Sequence, residues 1–264
     1  MAHELRGIVA LVTRPEGQGA ALAAAIRDAG GQALECPMLG IRPVAQDPVR
    51  LGAILSSCSL AIFVSTNAVS AALRAMREAG LGWPASLGCL AVGTATRDAL
   101  LRAGLPAGTA DGEAMNSEEL LAHPALSAVA GKGIVIFKGE GGRELLGETL
   151  TARGARVEAC ALYRRVLPSG AADTLAAVLA AHRVNAFLAS SGETLGNLLG
   201  LLHRMPAGKV PLDACFVVPG ERVAAEARQR TPARVVMARN ASDAAMLDAL
   251  AGLAAAPGGK AEHP

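Results

Sequence analysis

Six short segments of this chain combine residue types that chemistry uses, and each stands where an apolar run gives way to a helical pattern. They are Thr13-Arg14-Pro15, Ser65-Thr66-Asn67, Gly93-Thr94-Ala95-Thr96, Lys138-Gly139-Glu140-Gly141-Gly142-Arg143, Ser190-Ser191-Gly192 and Gly220-Glu221-Arg222. Nearly all are small, hydroxylic, glycine or cationic. At such a hand-over the first backbone N–H groups of a helix have no partner inside it and point outward. That is a recurring arrangement for binding anions. Several of these loops facing one cleft would suit a ligand with many carboxylates. The same residues also cap helices in the ordinary way, so the shared ligand is an inference from the set and not from any one loop.

Other chemistries lack their residues. KGEGGRE is no phosphate loop of the Walker type, because no GK[ST] follows the glycines, and it departs from GxGxxG at Glu144. His3, His123, His182, His203 and His263 are isolated, and neither HExxH nor a paired-cysteine spacing occurs, so no metal site is expected. No G-x-S-x-G supports a serine hydrolase. Cys36, Cys58, Cys89, Cys160 and Cys215 are scattered and odd in number, which reads as buried, reduced thiols. The single tyrosine, Tyr163, stands beside Arg164 and Arg165. Its phenol could face an interdomain cleft as a proton donor, or it could be a half-buried strand residue at a domain edge.

The elements that must position these residues follow from pattern. With 264 residues, 52% hydrophobic and 18% charged, the chain has apolar surface for one large or two small cores. The formal net charge is +2, six aromatics are spread thinly, and no Lys/Arg block occurs, so no nucleic acid is expected as a partner. Mean hydropathy is +0.35, yet no run of about 18 uncharged apolar residues could span a membrane. The N-terminus lacks a secretory pattern, which points to the cytoplasm. Strands are predicted at Ile8–Thr13, Leu60–Ser65, Leu87–Val92, Gly133–Lys138, Val184–Ala189, Ala214–Val218 and Arg234–Ala238. Helices are predicted at Gln18–Ala29, from a cap at Asn67 to Gly80, and at Thr94–Arg102, Arg143–Arg153, Glu193–Leu202, Arg222–Gln229 and Ser242–Leu253. Such alternation argues for α/β architecture with mainly parallel sheets. Residues 257–264 read as a frayed tail.

The chain also repeats itself. GIVALVTRPEGQ at Gly7 answers GIVIFKGEGGRE at Gly133, and Ser65 answers Ser190. Gly93 answers Gly220 and Ser117 answers Ser242, all at offsets of 125–127. Two homologous halves follow. Each half could fold by itself. Alternatively, the first quarter could pack with the last and the middle two with each other. Cys36–Gln46 and Glu158–Pro168 hold equivalent places and read as extended strands that could run between domains.

In order, VTRPEGQ, IFVSTNAV, AVGTAT, NSEELL, KGEGGRELLGETLTARGARVEACALYRR and SDAAMLDAL resemble uroporphyrinogen-III synthase over about residues 7–253. The resemblance implies two flavodoxin-like parallel-sheet domains joined by a two-stranded antiparallel β-ladder, with the active site in the interdomain cleft. It places domain one at residues 1–36 and 168–264, domain two at 46–157, and the ladder at 37–45 and 158–167. It implies a cofactor-independent cytoplasmic enzyme, expected as a monomer, acting on the linear tetrapyrrole hydroxymethylbilane. The product would be uroporphyrinogen III, with ring D inverted and water released. By matching positions, Tyr163 and Thr96 would be catalytic. Arg14, Ser65, Thr66, Asn67, Lys138, Gly139, Arg143, Ser190 and Ser191 would bind substrate.

Two places depart from the family pattern. Ala189 stands where a Ser or Thr is common, and Pro219–Arg222 replaces a Gly-x-x-Thr pattern. Arg222 could take over as a carboxylate ligand there, or the changes could mark a paralogue of altered activity. The competing functions are a non-catalytic two-domain binder of a small anion and, less well supported by motif, a nucleotide-dependent transferase.

Overall fold

The apolar runs and the periodic segments between them become eleven strands and ten α-helices among the described residues. The structure is a computed structural model that describes residues 4–105, 107–108, 116–142, 144–206, 211 and 213–254. Arg143 and the tail 257–264 lie outside them. By contacts the chain divides into two compact units, residues 1–40 with 166–264, and residues 41–165.

In the first unit β1 (Val9–Val12) sits between β2 (Gln32–Glu35) and β9 (Ala186–Leu188). β10 (Cys215–Pro219) and β11 (Val235–Ala238) complete the order β11-β10-β9-β1-β2, with every pairing parallel. Val9, Ala10 and Leu11 belong to one short run, so alternate residues enter opposite layers. Leu11 packs with α7 (Ala171–Ala181), α8 (Gly192–Leu202) and α9 (Gly220–Arg230). Ala10 and Val12 pack with α1 (Ala20–Asp28) and α10 (Asp243–Ala254). The seam between β1 and β9 is pinned at both ends. The Val9 N–H donates to Asn185 Oδ1 at 2.9 Å and Asn185 Nδ2 donates to the Gly7 carbonyl at 2.7 Å. Thr13 Oγ1 donates to the Leu188 carbonyl at 2.8 Å.

The second unit repeats the plan. β4 (Leu60–Phe63), β5 (Gly88–Ala91), β6 (Ala107–Gly108), β7 (Gly133–Gly139) and β8 (Arg156–Val166) run in the order β8-β7-β4-β5-β6, all parallel. β3 (Gly40–Pro43) is added on the free edge of β8 and makes the sheet mixed. One face carries α2 (Pro48–Ser57), α3 (Thr66–Glu78) and α4 (Thr94–Arg102), packed on Phe63, Val135 and Phe137. The other carries α5 (Ser117–Leu121) and α6 (Leu145–Ala152), packed on Ile62, Ile134 and Ile136. Under the internal repeat, β8-β7-β4-β5-β6 answers β2-β1-β9-β10-β11, the first unit being built from the outer quarters of the chain and the second from the two middle ones.

Several elements differ from expectation. β2, β6, α2, α5 and α7 are not predicted: the two strands are short sheet edges, α5 has five residues, and α2 and α7 carry the Gly52 and alanine-rich patterns that blur an amphipathic stripe. The predicted cap of α3 moves from Asn67 to Ser65, whose Oγ accepts the Ala68 N–H at 3.1 Å. Helix α6 starts at Leu145, after the glycine turn, instead of at 143.

All five cysteines are free and buried. Burial raises every thiol, Cys36 and Cys160 to about 11 and Cys89 to about 12. Since the thiolate is the reactive form, iodoacetamide at pH 8 should leave the folded protein unmodified and alkylate all five only after denaturation. Mass spectrometry of the two reactions checks this.

Candidate active site

Parallel register decides which predicted residues share an edge. In the second unit Phe63 pairs with both Phe137 and Ala91, and Phe137 pairs with Cys160. Two residues further along these strands lie Ser65, Gly139 and Gly93, so the carboxyl ends bring them to one edge of the sheet. In the first unit Val12 pairs with Leu188, Leu188 with Val217 and Val217 with Val236. That register aligns Arg14, Ser190 and Pro219 in the same way. The carboxyl edge of an open parallel sheet is where such folds bind ligands.

Tyr163 reaches its place through an irregularity. Beside Phe137 and Lys138, β8 presents Cys160 and Ala161; past a register shift, Gly139 faces Tyr163. A one-residue slip turns a side chain to the other face. The phenol ring then lies over Gly139, where a Cβ would come within 2.7 Å of the ring. Only glycine leaves that space. The Glu140 N–H donates to the Tyr163 carbonyl at 2.7 Å and holds the strand there. Tyr163 is 3% exposed, packed with the Phe63 and Phe137 core, and is buried more deeply than the half-buried edge residue of the simpler expectation.

The Tyr163 hydroxyl lies 2.9 Å from Ser65 Oγ, and either can donate. Ser65 is half-buried and begins α3. Its oxygen therefore joins a buried phenol to a helix N-terminus, where negative charge is favoured. Thr66 is exposed and Asn67 half-buried in the first turn. Thr96, 4% exposed, lies in the first turn of α4, whose start at Gly93 (φ +82°) has no side-chain cap.

Two of the expected cations are already paired. By the alternation along β7, Lys138 follows Ile134 and Ile136 onto the α5–α6 face. There its Nζ meets Glu144 Oε1 at 2.9 Å, the lysine side chain being 13% exposed and the glutamate 61%. Beside them opens a pocket of about 210 Å³ with apolar walls from Val64, Ile136 and Leu146. Arg14 is 16% exposed; its Nη2 donates to the Ala241 carbonyl and pairs with Asp243 Oδ1, both at 2.6 Å. Its Nε is buried and meets no acceptor among the described residues. Glu144, Ala241 and Asp243 were not anticipated as partners. The opposite charges of Lys138 and Glu144 across a Gly-Gly turn were the available signal for the first. Nothing local announces Asp243, which is over 200 residues from Arg14.

Ser191, rather than Ser190, is the counterpart of Ser65. It caps α8 with nearly the same backbone angles, and its capping box with Thr194 engages both backbone and hydroxyl. Ser190 is half-buried beside it. Arg222 is exposed on α9, with Nη1 3.5 Å from where a Cβ on Gly192 would lie. Among the described residues, no group of three His, Cys, Asp or Glu could hold a metal ion, and no helix is long and apolar enough to cross a membrane.

The fold and these edges define a class: paired flavodoxin-like α/β units with hydroxyls, glycines and cations at their strand ends. Comparison with known proteins narrows it. A family model described as uroporphyrinogen-III synthase HemD matches residues 20–248, and the chain belongs to that family. The uroporphyrinogen-III synthase of Escherichia coli K12 is 33% identical over 244 residues, 91% of this chain and 98% of that one. The Salmonella typhimurium LT2 protein of the same name is 33% identical over 250 residues, with the same coverage. Among solved structures, a mutant uroporphyrinogen III synthase from the extreme thermophile Thermus thermophilus aligns with a TM-score of 0.60 at 20% identity, over 93% of this chain and 96% of that one. A uroporphyrinogen-III synthetase from Helicobacter pylori 26695 aligns with a TM-score of 0.56 at 13% identity, over 93% and 99%. At these identities the structures speak for the fold.

The capping roles separate two neighbouring residues. Ser65→Ala should cost about 1 kcal/mol of stability. Asn67→Ala should cost less than about 0.5 kcal/mol. Urea denaturation of both variants checks the assignment.

Proposed function

We propose that this chain closes hydroxymethylbilane into uroporphyrinogen III, inverting ring D and releasing water. The observation that carries this reading is the family match over residues 20–248. The curated relatives, covered almost end to end, are named for that synthase.

The chemistry suits the residues. Loss of water from the hydroxymethyl group needs one proton and leaves an azafulvenium-type electrophile. Pyrrole carbons are already nucleophiles, so attack at the substituted carbon of ring D gives a spiro intermediate that fragments and recloses. The protein's task is then to hold a flexible polyacid in reactive geometry and supply that proton. In this reading the buried Tyr163 gives its proton to Ser65 Oγ as Ser65 passes its own to the departing hydroxyl. The carbon–oxygen bond breaks and water leaves. The proton lost when the last pyrrole carbon regains aromaticity restores Tyr163. Thr96, in the first turn of α4, is the second candidate for that proton transfer.

The substrate carries eight carboxylates. We assign them to the strand ends: Thr66, Asn67, Lys138, Gly139 and Arg143 in one unit, and Arg14, Ser190, Ser191 and Arg222 in the other. Arg14 is also a strut to the start of α10 through its pair with Asp243. We place the enzyme in the cytoplasm, where reduced cysteines persist, working as a monomer without nucleic acid. The two units serve as its domains.

The purified protein, given hydroxymethylbilane, should yield the type III isomer by chromatography of the oxidised products. Only the spontaneous type I isomer would leave a non-catalytic anion binder as the better reading. Tyr163→Phe should lower kcat by about 100-fold, the lower range for general acid catalysis. An unchanged kcat would remove the phenol from the mechanism.

A further inference from the structure

We propose that the pocket beside Lys138 receives one carboxyalkyl arm of the substrate, and that Glu144 stands in for that arm's carboxylate until it arrives. The inference rests on the function proposed above and names a subsite and an exchange within it.

Lys138 is an unusual cation for a surface edge. Its side chain is nearly covered, while the carboxylate paired with it is mostly in solvent. An ammonium group in that position needs a counterion. Glu144 supplies one, but little of its own stem gains from the pairing. The adjoining cavity, about 210 Å³, has the complementary form: Val64, Ile136, Leu146 and Ala159 offer apolar wall, and Lys138 and Arg165 bring positive charge to its lining. A carboxylate carried on a short aliphatic stem fits both features. It can pair with Lys138 as Glu144 does and also bury its methylenes, which the glutamate does not. Glu144 is exposed enough to swing into water at small desolvation cost, and at the start of α6 its charge remains favoured. The exchange moves no covalent bond.

Gly147 makes the idea testable without damage to the fold. It lines the pocket, sits inside α6, and has nothing within 4 Å of where a Cβ would be. Leucine there fills the cavity and improves helix propensity. Gly252 in α10 has the same open surroundings in the other unit and serves as control.

The experiment measures KM for hydroxymethylbilane, product isomer and Tm for the full chain and three variants. G147L should raise KM about tenfold with Tm held or increased, and G252L should leave KM as it is. E144Q should lower KM about threefold, because the internal competitor for Lys138 is gone. A wild-type KM in either G147L or E144Q overturns the proposal. Should the unmodified protein form only the type I isomer, the reading of its function fails first, visibly, and the subsite falls with it.

Discussion

The residues at the candidate site owe their places to parallel pairing between strands, some of them far apart in the chain. Parallel strands cannot be joined by a tight hairpin; each needs a crossover, and both faces of the sheet must then be covered. Here that requirement is met twice, with β1 and β7 in the interior of the sheets and helices on either side. All the strand ends that matter consequently point one way within each unit. The loops that follow them can carry glycines, hydroxyls and cations without disturbing the cores beneath. Asn185 and Thr13 show how tightly the alignment is held, since each fastens β1 to β9 across more than 170 residues.

Much of this was legible beforehand because it is periodic. The alternation of apolar runs with helical stripes marked α/β architecture, and α4 was delimited at both ends by Thr94 and Arg102. The internal repeat was visible as well, and both sheets prove to have one strand order. What resisted reading was non-local or short. β2 has only four residues, and α7, rich in alanine, lacks a sharp polar face. The register shift opposite Gly139 leaves no mark in composition, yet it turns Tyr163 from an edge residue into a buried partner of Ser65. Likewise, repeat alignment matched Ser65 to Ser190, but helix geometry selects the next serine, because capping requires extended backbone just before the first turn.

The cations teach a related lesson. A list of basic residues at strand ends suggests open receptors for carboxylates. Instead, Lys138 and Arg14 are held by Glu144 and Asp243. Mostly covered charges are costly without partners, so the protein supplies its own. Affinity for an acidic ligand then depends on a difference between two carboxylates and not on the raw attraction of either. Charge counting from composition cannot reveal that difference.

The crossed arrangement of quarters also bears on synthesis at the ribosome. The unit of residues 41–165 is continuous, so all its strands are available once β8 has emerged. β1 and β2, though translated first, have no β9 beside them until residue 188 is made. The later-starting unit can therefore be finished first, while the leading forty residues wait with one strand edge uncovered. A nascent chain halted after β8 has emerged and before β9 is made would combine one assembled body with two strands that lack their neighbour, the state in which a chaperone has most to shield.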